Sequence, residues 1–238
     1  MRDRTWVLVL PLIGLIGLTP AAPVLKMALI SLSIFLLLKW HSLRTYEAAG
    51  HDAGSADRIQ WFLTWPGLEP VDFFAARAEV PRPYARQWTM ALVKMLLGIA
   101  LCAGVAPRLA SSNALAAGWV ALVGIALALH FGLFHLLALA WRRAGRNVTP
   151  IMNCPPRAAA LAEFWNCRWN LAFRDFTNRH VFRPLTRRLD AVAATWLSFA
   201  FSGGIHELAI SIPDRAGFGL KMFYFLLQAV GVTVERHA

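Results

Sequence analysis

The sequence predicts an all-α, polytopic helical membrane protein, with about six transmembrane helices and one cytoplasmic amphipathic helix in a single domain over residues 1–238. Three observations carry that reading. Hydrophobic residues make up 58% of the chain and charged residues 16%, a balance that leaves too little polar surface for a soluble fold of this length. The apolar residues gather into six runs, divided by short turn-rich or longer basic segments. Lys and Arg alternate between those segments: eighteen fall before Trp6, in 41–87, in 141–189 and in the tail, against Arg108 and Arg215 alone in the intervening turns. Cytoplasmic loops carry such an excess. The N-terminus and both long loops are therefore expected in the cytoplasm, and high Ala and Arg usage suggests a bacterial cytoplasmic membrane. The same rule accounts for the net charge of +11 without nucleic acid, whose phosphates are the usual partner of a basic chain.

The first hairpin pairs residues 6–18 with 24–40 across the breakers Thr19-Pro20-Ala21-Ala22-Pro23. Its first run is short for a bilayer core of about 20 residues. Although Arg2 and Arg4 precede it, the immediate second run reads as a hairpin and not as a cleaved signal. Lys26 and Lys39 sit near span ends, where their stems can snorkel. In 41–87, Trp61-Phe62-Leu63-Thr64-Trp65-Pro66-Gly67 and Phe73-Phe74 read as an interfacial aromatic anchor. The third and fourth spans, 88–105 and 114–141, flank a turn with Pro107, Arg108 and Asn113. Lys94 lies within reach of the cytoplasmic face. His130 and His135 are five apart, off a common helix face, and are expected to hydrogen-bond to neighbouring helices rather than bind metal.

Beyond Pro155-Pro156, residues 157–179 contain no breaker and place Trp165, Trp169, Phe173 and Phe176 at helical spacing. Arg168, Asp175 and Arg179 fall largely opposite, and Asn166 and Asn170 lie one turn apart. This is the amphipathic helix, lying along the membrane. The fifth span, 190–212, holds Ser198 and Ser202 at small-xxx-small spacing, then Gly203-Gly204, so another backbone or a ligand can approach closely. His206 shares the face of Ser202, while Glu207 is turned about 100° from it. The sixth span is 218–234. Cys102, Cys154 and Cys167 are too few and irregular for a disulfide framework or a metal site.

Ionisable residues inside apolar helices normally face a cavity or a partner, which makes His206 and Glu207 the sharpest candidates. Three ordered pieces give them a context: Phe164-Trp165-Asn166-Cys167-Arg168-Trp169-Asn170, then Phe182-Arg183-Pro184, then Ser202-Gly203-Gly204-Ile205-His206-Glu207. Over about 150–236 the sequence resembles the membrane-bound O-acyltransferase family, in its wax synthase branch, with Phe223 to Gln228 and Glu235-Arg236 matching the family's next helix. The resemblance implies catalysis by His206 as general base, with Asn170 as second signature residue at the thioester. It implies acyl-CoA as co-substrate, a hydrophobic alcohol as acceptor, membrane lipid as surroundings, and no resident cofactor or metal. Trp165, Trp169, Arg168, Arg174, Ser202 and Glu207 are the candidate substrate contacts. Arg168, Arg174, Arg179, Arg183, Arg187 and Arg188 are suited to CoA phosphates or to anionic lipid. Ser202 reads as a helix-packing residue before a nucleophile. Family members usually continue beyond the Glu235-Arg236 landmark, so further C-terminal helices are expected to be lacking.

Other readings remain at this level. The acceptor can be a diacylglycerol, a sterol or a saccharide hydroxyl, although the short outer turns favour one dissolved in the membrane. A non-catalytic scaffold would retain the same helices. A transporter would show paired broken helices in two halves, a repeat this sequence lacks. A haem or metal protein would require His130 or His135 to meet His206. Oligomeric state is not legible.

Overall fold

The computed structural model describes residues 6–75 and 80–237. It is all-helical, with 77% of residues in helices and no strand among those described. Arg2 and Arg4 lie outside the described residues. The helices are α1 (Trp6–Leu18), α2 (Pro23–Ala48), α3 (Ser55–Thr64), α4 (Val71–Phe74), α5 (Ala85–Ala110), α6 (Ala114–Arg143), α7 (161–168), α8 (171–186), α9 (191–214) and α10 (Leu220–His237). Three of them, α2, α5 and α6, are long and apolar enough to cross a bilayer. The chain is an integral membrane protein. The remaining expected spans are helical at their places, as α1, α9 and α10.

Contacts divide the chain into two compact units. Among the described residues the first holds 6–51, Ala158–Asn166 and 173–237; the second holds 52–75, 80–157 and Cys167–Ala172.

In the first unit α1 folds back on α2; Ile13 of α1 is buried, as is a stripe of α2 that includes Ile30, Ile34 and Leu37. The stripe follows the spacing of three and four residues that aligns one helix face. Lys26 does not snorkel. It is 6% exposed and its Nζ donates to the Gly17 carbonyl at 3.2 Å, and Arg215 Nη2 donates to the same oxygen at 3.3 Å. The last carbonyls of a helix have no intrahelical donor and carry the negative end of its dipole; two cations satisfy that end of α1. Lys39 is fully buried, its ammonium 5.3 Å from the centroid of the Phe35 ring.

In the second unit α5 and α6 form a helical hairpin, entered through the Asn113 side chain, which accepts from the Ala116 amide at 3.0 Å. A Cβ on Gly132 would stand 2.7 Å from Met95 Cα. The glycine is therefore what lets the helices touch, as small residues do where lipid gives no hydrophobic drive for association. Outward, Leu92, Val93, Leu96, Trp119, Leu122 and Val123 are exposed, an apolar surface suited to lipid chains. His130 Nδ1 is buried with no hydrogen-bond partner among the described residues, and its ring packs edge-on to Phe134 at 5.6 Å. The expected bond to a neighbouring helix is not made there.

The aromatic run in 61–74 is core, not an interfacial belt. Trp61 and Phe73 are fully buried and Trp65 is 6% exposed, while Phe73 meets Trp141 edge-on at 4.9 Å. Arg146 closes this core. It is 4% exposed, pairs with the Asp57 carboxylate, donates to the Phe73 carbonyl at 3.1 Å and lies 5.0 Å from that ring's centroid. A buried guanidinium is tolerable only when so partnered. Arg146→Ala removes every one of those contacts and is expected to cost about 3 kcal/mol. Asp57→Ala leaves the buried guanidinium without its counter-charge and should cost at least as much. Thermal melts of the purified chain in detergent, with a clear drop for both variants, check the pair.

Candidate active site

The sequence-predicted residues divide between the two units: His206, Glu207, Ser202, Trp165 and Arg174 belong to the first, and Arg168, Trp169 and Asn170 to the second.

α9 starts at a proper cap, Asp190, whose carboxylate accepts from the Ala193 amide at 2.8 Å. Along it a ladder of serines turns inward on the helix's own backbone. Ser198 Oγ donates to the Ala194 carbonyl at 2.8 Å and Ser202 Oγ to the Ser198 carbonyl at 3.0 Å. The Ser202 hydroxyl is thereby engaged with backbone, and its carbonyl one turn on serves His206. His206 Nδ1 lies 2.7 Å from the Ser202 carbonyl oxygen. A carbonyl only accepts, so Nδ1 carries the proton and Nε2 presents its lone pair. The spacing of four between Ser202 and His206 thus acts through the backbone oxygen and not through the hydroxyl.

Immediately after His206 the helix widens into a π-helical turn, Glu207–Ser211. Such turns redirect side chains and recur at functional sites. Here two adjacent residues, which regular geometry would set about 100° apart, both engage α10. The His206 ring packs on Phe225 at 4.5 Å between centroids, and Glu207 Oε1 accepts from the amides of Lys221 and Met222 at 3.0 and 3.1 Å.

α10 and α9 approach closely at Gly203. A Cβ there would stand 2.9 Å from Met222 Sδ and 3.0 Å from Met222 Cα, whereas one on Gly204 would meet only Met222 Cε, at 4.0 Å. Trp165 lies on the same surface of α10: its indole packs on Phe225 and Phe199 at 5.8 and 5.7 Å, and its Nε1 donates to Gln228 Oε1 at 3.2 Å. Phe225 is therefore shared between His206 and Trp165. Neither it nor Gln228 was marked as a site residue by the sequence. The available signal was their spacing of three on one face of the sixth apolar run.

The amphipathic helix expected over 157–179 is helical but broken. α7 ends at Arg168, Asn170 adopts φ 40°, and α8 restarts at Leu171. Asn is the non-glycine residue that most readily takes this left-handed conformation, so the chain breaks without Gly or Pro. In the second unit a loop holds the break: the Asn153 amide donates to the Arg168 carbonyl, the Leu171 amide to the Ile151 carbonyl, both at 2.8 Å, and the Asn170 amide to Met152 Sδ at 3.3 Å. Strained backbone held by its surroundings clusters at functional sites. The four aromatics part company accordingly, Trp169 facing Phe131 at 6.5 Å and Phe173 stacking on Phe201 at 6.1 Å. Arg174 pairs with its neighbour Asp175 at 3.0 Å, and Arg168 Nη1 donates to the Asn153 carbonyl at 3.5 Å. Arg183, Arg187 and Arg188 are exposed.

Residues 148–227 match the model of the membrane bound O-acyl transferase family. The matched stretch contains Asn170, the Arg-rich segment, His206 and Glu207, so this part of the chain is similar to that family. The similarity points to membrane O-acyltransferase activity, with an acyl donor and an acceptor. No curated protein matches the chain.

The Gly203 contact separates two neighbouring glycines by their geometry alone. Gly203→Ala forces a Cβ against the Met222 backbone and is expected to destabilise by about 1 to 3 kcal/mol, as overpacking does. Gly204→Ala should fall within about 0.5 kcal/mol of the parent. Unfolding of the two variants in detergent, followed by tryptophan fluorescence, reads the difference.

Proposed function

We propose that the chain is an acyl-CoA-dependent O-acyltransferase that esterifies a lipid alcohol in the manner of a wax ester synthase, with His206 as general base and Asn170 assisting at the thioester. The observation that carries the reading is the Nδ1 contact of His206 with the Ser202 carbonyl, which leaves Nε2 as a proton acceptor within a segment matched to an acyltransferase family.

The chemistry follows from that tautomer. Nε2 takes the hydroxyl proton as the alcohol oxygen attacks the thioester carbonyl, and a tetrahedral intermediate forms with its negative charge on the former carbonyl oxygen. Collapse expels the CoA thiolate, which takes the proton back from the imidazolium, so that the products are an ester and free CoA and the neutral ring is restored. General base catalysis of this kind contributes about 10²- to 10⁴-fold. Asn170 is assigned the developing oxyanion by its place in the motif, as an amide N–H donor of the type that stabilises such charge. Arg168 and Arg174 are candidates for the phosphates of CoA, since planar guanidinium forks suit phosphate oxygens, and Trp165 and Trp169 for the acyl chain. The whole chain is read as one acyltransferase domain whose α1, α9 and α10 also lie in the membrane. Its N-terminus faces the cytoplasm of a bacterial cell, and it needs no resident cofactor or metal.

The acceptor is read as a membrane-dissolved alcohol because the turns at 111–113 and 215–219 are short. Membranes carrying the chain, given labelled acyl-CoA with a fatty alcohol, a diacylglycerol or a sterol, are expected to form the fatty-alcohol ester. Product on one of the other acceptors would retain the transferase and replace the wax ester reading; absence of any ester would reject catalysis by this chain. Asn170→Ala is expected to lower kcat by about 10²- to 10³-fold, as loss of an oxyanion donor does.

A further inference from the structure

α10 begins without a cap of its own. Gly217, Phe218 and Gly219 precede Leu220, and none offers the side-chain oxygen with which Ser, Thr, Asp or Asn usually satisfies first-turn amides. All four amides are nevertheless bonded. Leu220 donates to the Gly217 carbonyl at 3.2 Å and Phe223 to the Gly219 carbonyl at 2.8 Å. The two between them, Lys221 and Met222, both donate to Glu207 Oε1.

The other end of α10 repeats the device in reverse. Glu235 receives the amides of Leu161 and Ala162, at 2.7 and 2.9 Å, the first turn of α7, whose preceding residue Ala160 supplies no side-chain cap. One carboxylate at each end thus ties α10 to the helix bearing His206 and to the helix bearing Trp165. Phe225, packed on both rings, and Gln228, bonded to the indole, lie between the ties.

We propose that Glu207 is a positioning residue: its carboxylate caps α10 and so sets Phe225 against the His206 imidazole, while Glu235 fixes Trp165 from the opposite end. The proposal rests on the reading of His206 as base. It divides the His-Glu pair into a reacting residue and one that holds the helix against which the reacting residue packs. What Glu207 must supply is an acceptor oxygen at the right reach, because two amide donors impose no demand for a transferable proton. A contact with substrate charge would demand the reverse.

Two conservative variants separate reach from charge in the full chain in lipid nanodiscs. Glu207→Gln keeps an acceptor oxygen at the same reach without the charge; Glu207→Asp keeps the charge but is a methylene short. Hydrogen exchange at Lys221 and Met222, read by mass spectrometry without substrate, should stay near the parent rate in Glu207→Gln and rise about 5- to 30-fold in Glu207→Asp, the equilibrium equivalent of a lost cap. Ester formation should follow the same order: kcat in Glu207→Gln within about tenfold of the parent and above Glu207→Asp, with KM for acyl-CoA unchanged. Unchanged exchange in Glu207→Asp would overturn the cap. Normal protection in both variants with activity surviving only in Glu207→Asp would make the charge the required feature and overturn the proposal. Exchange needs no turnover, so a parent chain that forms no ester refuses the reading of His206 while the amides still decide the cap.

Discussion

The approach of α9 to α10 at Gly203 is the constraint on which the candidate site depends. A Cβ on that glycine would stand 3.0 Å from Met222 Cα, so any larger residue must push α10 aside, and the separation the glycine permits brings two contacts into register. Phe225 reaches the His206 ring, and Glu207 reaches the first-turn amides of α10; Phe225 and Gln228 on the same helix then receive the Trp165 indole. Within a bilayer such closeness does the work that hydrophobic burial does in water, since helix surfaces gain little by exchanging lipid for one another. Packing and hydrogen bonds then carry the specificity.

The polar groups of α9 follow a single rule, that a group buried in an apolar helix must find its partner close by. Ser198 and Ser202 turn back on carbonyls of their own helix, which removes them as competitors for a substrate. His206 spends one ring nitrogen the same way, and that expenditure defines the chemistry of the other. A histidine whose Nδ1 is tied to a carbonyl is a base oriented by its own helix, with no carboxylate required behind it. Glu207 makes no bond to His206 among the contacts of this site and engages the amides of α10.

The sequence made the apolar helices legible, because apolar runs and their breakers are strong signals; α1 begins and ends where residues 6–18 were expected, whereas α2 runs on to Ala48, past the expected end at residue 40. It failed where the deciding partner is remote. The segment 61–74 has the composition of an interfacial belt, and only Trp141 and Arg146, some seventy residues on, turn it into a core. Lys26 looked free to snorkel until Gly17 supplied an acceptor. The break at Asn170 escaped notice because neither Gly nor Pro marks it; the loop 151–153 bonds to the backbone on either side and holds an asparagine in a left-handed conformation. Of the candidate site, His206 and Asn170 could be nominated from the sequence motif, whereas Phe225, Gln228 and the bonding of Glu207 required knowing which helix lies beside which.

In the proposed reaction His206 Nε2 accepts the acceptor's proton. Single-turnover acyl transfer by the purified chain, preloaded with labelled acyl-CoA and mixed with alcohol, tests it directly when His206→Asn is run beside the parent. Loss of the transfer step by about 10²- to 10⁴-fold, with acyl-CoA still bound, is the predicted result. Transfer at the parent rate in His206→Asn would contradict it and move the base elsewhere in the chain.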